Sequence, residues 1–161
     1  YDNSKVIMHN ERFSVNRLAA SVIKSMSGLC QPGTFELKSQ TGNIELTADK
    51  VMIRQLLGIL LDNAVKYTGD NKKIAITLEK IASSVKITVK DNGIGISEEN
   101  QKIIFDRFNQ VVDKSAELKG GSGLGLTISK QLITLHGGHI YVESEVGVGS
   151  EFIIILPVYS S

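Results

Sequence analysis

Val85-Lys86-Ile87-Thr88-Val89-Lys90-Asp91-Asn92-Gly93-Ile94-Gly95-Ile96, residues 85–96, decides how the rest of the chain is read. Residues 85–90 alternate apolar and polar, the pattern of a half-buried strand. Side chains alternate across a strand, so Asp91 falls on the face of Val85, Ile87 and Val89. A carboxylate therefore stands at the core-side end of an apolar row. Burying such a group is costly unless it is hydrogen-bonded. It needs a donor, and an exocyclic amine beside a ring nitrogen supplies one. Gly93 and Gly95 let the backbone turn sharply or approach a flat ligand closely. Taken alone, Asp-Asn-Gly is also ordinary turn chemistry after a strand.

Upstream, Ile74, Ile76 and Leu78 alternate in the same way and pair with 85–89 as a hairpin. A helix is predicted near Lys50 to Tyr67, capped by Asp49 or Thr47. Its core stripe is Ile53, Leu56, Leu57, Leu60, Leu61 and Ala64. Ile59, Asn63 and Lys66 or Tyr67 stack along one flank of that stripe. Asn63 thus sits where the buried face meets an edge. It is either a structural hydrogen-bonder or one amide ligand of a Mg²⁺ that already carries phosphates and waters. Leu18, Ala19, Val22, Ile23 and Met26 predict a helix from Phe13 to about Ser27, stopped at Gly28. Phe35, Leu37, Ile44 and Leu46 read as short strands. Residues 1–12 are polar and read as a tail or the end of a preceding element, with His9 at the surface.

Downstream, Ser97 with Glu98 and Glu99 reads as a helix start. Phe105 and Phe108 are three apart and can share a helical face, where core packing is the plain expectation. Residues 109–119 are polar and read as a loop bearing Lys114 and Lys119. Gly120-Gly121-Ser122-Gly123-Leu124-Gly125-Leu126 then opens an amphipathic helix through Ile128, Leu132, Ile133 and Leu135. Backbone N–H groups at a glycine-rich helix start favour phosphate. No Gly-Lys-Ser/Thr follows, and the glycine spacing is wrong for a dinucleotide fold. His136 and His139 read as cap or surface residues. Ile140, Val142 and Ser144 form a strand. Gly147-Val148-Gly149-Ser150 is a turn before a near-continuous apolar strand, Glu151 to Leu156, placed centrally in a sheet and ended by Pro157.

The 161 residues suit one domain, and 42% hydrophobic with 22% charged residues is ordinary for a globular protein. A net charge of +1 gives no bulk electrostatic case for nucleic acid. The single Cys30 excludes an intramolecular disulfide and fits a reducing compartment. No apolar run is long enough to span a bilayer. A start at Tyr1 without Met reads as an excised piece of a longer protein.

Four motifs stand in order: Leu60-Leu61-Asp62-Asn63-Ala64-Val65-Lys66-Tyr67, Asp91-Asn92-Gly93-Ile94-Gly95-Ile96, Phe105-Asp106-Arg107-Phe108 and Gly121-Ser122-Gly123-Leu124-Gly125-Leu126. Together they resemble the N, G1, F and G2 boxes of the catalytic, ATP-binding domain of bacterial sensor histidine kinases. The resemblance runs from about Phe13 to Pro157, and residues 13–158 are taken as that domain. It implies an α/β sandwich of the Bergerat type: a mixed, mostly antiparallel sheet of about five strands covered on one face by about three helices. It implies ATP and Mg²⁺. Carried over, Asn63 would coordinate Mg²⁺, with Lys66 and Tyr67 along the phosphate and ribose. Asp91 would take the adenine amine, with Gly93, Ile94, Gly95 and Ile96 under the base. Phe105 and Phe108 would position a lid whose cations include Arg107, Lys114 and Lys119. Gly121, Gly123, Leu124, Gly125 and Leu126 would meet phosphates, and Ser150 would stand near Asp91. The implied partners are a histidine-bearing dimerisation domain of the same homodimeric parent and a response regulator receiver. The implied place is the cytoplasmic side of a membrane-anchored parent, with no nucleic acid partner.

Two departures qualify the likeness. Ile59 stands four residues before Asn63, where these kinases often carry Asn and related hydrolytic ATPases carry Glu. Ile59 can neither ligate a metal nor accept a proton, which argues against ATP hydrolysis. None of His9, His136 and His139 has the setting of a phosphoacceptor, so the chain is not expected to phosphorylate itself alone. An anti-sigma-type serine kinase and a nucleotide-sensing docking module without phosphotransfer are the alternative readings.

Overall fold

The computed structural model describes residues 6–106 and 124–158. Strand β1 (Asn10–Ser14) leads into helix α1 (Val15–Ser27), then β2 (Phe35–Ser39), β3 (Glu45–Asp49) and helix α2 (Lys50–Lys66). The hairpin β4 (Ile74–Ile81) and β5 (Ser84–Asp91) follows, then the one-turn α3 (Glu98–Gln101), α4 (Leu124–Leu135), β6 (His139–Glu145) and β7 (Gly149–Pro157). The main sheet has five strands in the order β2-β4-β5-β7-β6. Only β2 and β4 run parallel; the other three neighbours are antiparallel. A separate ribbon pairs β1 with β3.

Register explains the layering. Leu78, Ile87, Ile154 and Ile140 lie side by side across four strands, and so do Ile76, Val89, Phe152 and Val142. These rows form the apolar face, against which α1 and α2 pack, with α4 laid against α2. Helix α2 contributes Ile53, Leu56, Leu57, Leu60, Leu61 and Ala64, all buried, as its periodicity predicts. Each fully buried Leu or Ile stabilises the fold by about 1.5–3 kcal/mol, so this one stripe anchors the helix layer. The cap is Asp49, whose Oδ1 accepts from Met52 N at 3.1 Å. Among the described residues no helix is long and apolar enough to cross a membrane.

Two expectations about element bounds change, and the short strand read at Leu46 is present as β3. Residues 10–12, assigned by their polarity to a tail or preceding element, begin β1 instead. Their side chains are exposed and carry no apolar signal; the strand is made by pairing, with Phe13 opposite Leu46. Consequently α1 begins at Val15 rather than Phe13, and Ser14 caps it by accepting from Arg17 N at 3.2 Å. Ile44 and Leu46 flank or enter β3, which joins β1 and stays out of the main sheet.

His136 is buried, 3% exposed, and is not a surface residue. Its Nε2 accepts from Asp49 N at 3.2 Å and its Nδ1 lies 2.7 Å from Leu132 O. A backbone N–H can only donate, so the ring hydrogen sits on Nδ1 and points at Leu132 O. The ring ties the end of α4 to the β3–α2 junction. His136→Leu fills similar volume but leaves Asp49 N without an acceptor. It should destabilise the protein by about 1–3 kcal/mol, read from urea unfolding midpoints; an unchanged midpoint would show that the tie contributes nothing.

Candidate nucleotide site

The apolar face of the sheet ends in a polar row. Asp91 on β5 is in register with Ser150 on β7, and Ser150 with Ser144 on β6. Asp91 is 6% exposed, on the core side as the alternation of β5 predicts. Its Oδ1 accepts from Gly93 N at 2.8 Å and from Ser150 N at 3.2 Å. Oδ2 has no hydrogen-bond partner among the described residues. Yet no fully buried side-chain polar atom among them lacks a partner, so Oδ2 keeps access to the space outside. One oxygen is used by the fold and the other is left as an acceptor. Burial pushes the Asp91 pKa above the ordinary carboxylate value, and the two backbone donors offset part of that rise.

The chain after Asp91 threads between two other elements. Ile94 N donates to Tyr67 O at 3.1 Å, at the end of α2. Gly147 N, in the β6–β7 turn, donates to Ile94 O at 2.8 Å. Any side chain at Gly93 would overlap the Tyr67 carbonyl, and one at Gly95 the Glu145 carbonyl. Gly95 also has φ +77, a left-handed backbone that glycine adopts readily. The glycines thus bring three backbone segments into contact under Asp91. Ile96 N donates to Ser144 Oγ at 2.7 Å, and Gln101 Nε2 donates to both Ile96 O and Ser144 O.

Helix α2 delivers Asn63, Lys66 and Tyr67 to the same end of the fold. All three are half-buried. The Asn63 amide makes no side-chain hydrogen bond among the described residues and is open to a ligand. Lys66 Nζ pairs with Asp62 at 3.0 Å, with both side chains about half exposed. Such an i,i+4 pair is worth about 0.3–0.5 kcal/mol, so it holds Lys66 only weakly. Burial raises the Tyr67 phenol above its ordinary value, opposed by the Lys66 charge. Ile59 has a packing role: its Cγ2 stands 3.2 Å from where a Cβ on Gly125 would fall. Gly125 is therefore the close-approach point of α4 on α2.

Phe105 does not sit on a helix. Helix α3 stops at Gln101, and residues 102–105 are turns. The ring is half-buried and meets Phe152 edge-on, centroids 6.2 Å apart at 88°. Thr127 Oγ1 donates to Asp106 O at 3.1 Å, holding α4 beside that turn. Leu126 is buried and Gly125 lies in the first turn of α4. Arg107, Phe108, Lys114, Lys119, Gly121 and Gly123 lie outside the described residues, and the side chain of Leu124 with them. The residue that sequence reasoning passed over is Ser144. The available signal was the one that exposed Asp91: a polar residue completing the apolar alternation of Ile140 and Val142.

A family model described as "Histidine kinase-, DNA gyrase B-, and HSP90-like ATPase" matches residues 48–160. The chain belongs to this ATPase family. The following similar proteins are named as histidine kinases. The signal transduction histidine-protein kinase ArlS of Staphylococcus epidermidis is 37% identical over 152 residues, covering 94% of this chain and 33% of ArlS. The catalytic domain of histidine kinase ThkA superposes with a TM-score of 0.83 at 30% identity, covering 95% of this chain and 98% of that one. ThkA has also been solved in complex with the response regulator TrrA, at TM-score 0.80 and 28% identity, covering 96% of this chain and 44% of that one. Full-length ShkA in complex with AMPPNP matches at TM-score 0.82 and 26% identity, covering 97% of this chain and 32% of that one. The chain spans about a third of the length of ArlS. The mixed, mostly antiparallel sheet with helices on one face is the architecture of these catalytic domains, as the resemblance implied.

The raised Asp91 pKa has a consequence for stability. The folded state holds the Asp91 proton to higher pH than the unfolded chain, whose ordinary value is 3.8. The group therefore favours folding most below that value, and the benefit is lost as pH rises through the folded pKa. Asp91→Asn keeps an Oδ1 acceptor for Gly93 and Ser150 without the charge. It should be more stable than wild type at pH 7, with the gap closing as pH falls towards 3.8. Urea midpoints across this range check it; parallel profiles would contradict a buried charge.

Proposed function

We propose that this chain is the ATP-binding catalytic domain of a sensor histidine kinase, which transfers the γ-phosphoryl of ATP to a histidine on a separate dimerisation domain of the same homodimeric parent. The observation that carries the reading is Asp91: a buried carboxylate with one oxygen fixed by the backbone and the other left to receive a donor. The adenine 6-amino group supplies that donor, while Gly93, Ile94, Gly95 and Ile96 form the surface under the base. Two features suit the rest of a nucleotide. Asn63 and Lys66 offer a free amide and a weakly paired ammonium along one flank of α2. The start of α4 offers backbone N–H groups of the kind that suit phosphate.

The family's Mg²⁺ fits this donor set in one way only. Among the described residues no cluster of three or more His, Cys, Asp or Glu could cage a metal. Asn63 would be the protein ligand, and phosphates and water the others, a usual arrangement for Mg²⁺. Bound there, Mg²⁺ would neutralise phosphate charge. The protein's own contribution is positioning: Asp91 fixes the base, α2 fixes the phosphates, and Ile59 keeps an apolar side chain where a water-activating acid would stand. Ile59 thus favours transfer to another group over hydrolysis. Lid cations Arg107, Lys114 and Lys119 belong to the same proposal, with Gly121, Gly123, Leu124, Gly125 and Leu126 at the phosphates and Phe105 and Phe108 behind the lid. The ThkA–TrrA complex supports a response regulator receiver as the next acceptor, and the AMPPNP complex of ShkA supports an adenine nucleotide. The parent is proposed to be membrane-anchored with this domain on its cytoplasmic side.

Thermal unfolding with Mg²⁺ and ATP, ADP or GTP tests the reading. ATP at ~100 times its dissociation constant should add about 2.7 kcal/mol of stability, a shift of about 5–10 °C. The shift should be specific to adenine and absent in Asp91→Asn. No shift with any nucleotide, or an equal shift in the variant, would overturn the assignment.

A further inference from the structure

Ser144 Oγ makes three contacts. It receives Ile96 N–H at 2.7 Å, it donates to Gly149 O at 2.8 Å, and it lies 2.8 Å from Ser150 Oγ. A hydroxyl has one proton and two lone pairs. The Gly149 carbonyl can only accept, so it takes the Ser144 proton. The short contact with Ser150 then requires the Ser150 proton to point at Ser144. The reverse assignment would leave two acceptors facing each other at 2.8 Å between Ser144 and Gly149. Both lone pairs of Ser144 are thereby filled, by Ile96 and by Ser150. Ser150 Oγ is left with its lone pairs and no proton to offer elsewhere.

That hydroxyl stands in the same row as Asp91, with which Ser150 shares its backbone N–H. We propose that Ser144 is a positioning residue for base selection: it turns the Ser150 proton away, so that Ser150 Oγ and Asp91 Oδ2 present acceptors together and the site takes a 6-amino purine in preference to a 6-oxo purine. A 6-amino group carries two hydrogens and suits two acceptors. A 6-oxo group has no hydrogen and sets a third acceptor against these two, with only the neighbouring ring N1–H left as a donor, and a buried polar site discriminates strongly against such a mismatch. This inference rests on the reading of the row as a nucleotide site. It adds what that reading lacks, a reason for the direction of the Ser150 proton.

The test compares dissociation constants for ATP and inosine triphosphate, both with Mg²⁺. These differ on the purine edge and share ribose and phosphates. Ser144→Ala frees the Ser150 proton to turn towards the base. The preference for ATP over inosine triphosphate should then fall about tenfold, while Ser144→Thr, which keeps the hydroxyl, retains it. In a Ser150→Ala background, Ser144→Ala should no longer change the ratio, because its effect passes through Ser150. Loosening of the β6–β7 turn alone would weaken both nucleotides together, so an unchanged ratio in Ser144→Ala overturns the proposal. If Ser144→Ala fails to fold, as judged by circular dichroism, Ser150→Ala decides by itself: an unmoved ratio there overturns it too. Wild type that binds neither nucleotide removes the nucleotide reading and this inference with it. Wild type that binds ATP, with a ratio indifferent to both serines, removes this inference alone.

Discussion

A carboxylate at the end of an apolar row is the constraint on which the site depends. Asp91 follows Val85, Ile87 and Val89 on the buried face of β5 and is buried with them. A buried charge is tolerated only when it is hydrogen-bonded. Here the backbone supplies two donors to a single oxygen, from Gly93 two residues along and from Ser150 on the neighbouring strand. That solution fixes much else. It holds the loop after β5 and the start of β7 in one geometry, and it leaves the second oxygen without a partner among the described residues. The group works against stability when charged, as its raised pKa implies, and such an arrangement is what a binding site retains for function.

The surrounding packing follows from that loop. Gly93 lets it cross the end of α2 and Gly95 lets it meet the end of β6. Backbone hydrogen bonds from Ile94 to Tyr67 and from Gly147 to Ile94 then lock the crossing. Helix α2 has two jobs as a result. Its buried stripe holds the helix layer on the sheet, while its flank and C-terminal end carry Asn63, Lys66 and Tyr67 to the same edge. Ile59 packs at Gly125, so the position that could hold a catalytic acid in an ATPase is here part of the α2–α4 contact.

Much of this was legible in the sequence because it rests on local periodicity. The alternation of β5 placed Asp91 on the core face, and the helical spacing from Ile53 to Ala64 defined α2 to within a residue. Other features were hidden because they arise from pairing between distant segments. Strand β1 has no apolar pattern of its own and exists through β3. His136 looked like a helix-end residue, but its buried role comes from Asp49, 87 positions earlier. Phe105 and Phe108 suggested a helix by spacing, yet α3 ends after Gln101 and Phe105 packs on β7 from a turn. Ser144 carried the same signal as Asp91, a polar residue on an apolar face, but its meaning appears only when β6, β7 and the loop after β5 are seen together.

The most direct test of this account follows the Asp91 carboxyl carbon by NMR through a pH titration, with and without saturating ATP. Without nucleotide the pKa should lie above 3.8, the ordinary value. With ATP it should fall, because a donor on Oδ2 favours the charged form. A titration that ATP leaves unmoved, or an ordinary pKa in the free protein, would contradict the claim that this carboxylate is buried and held open for the base.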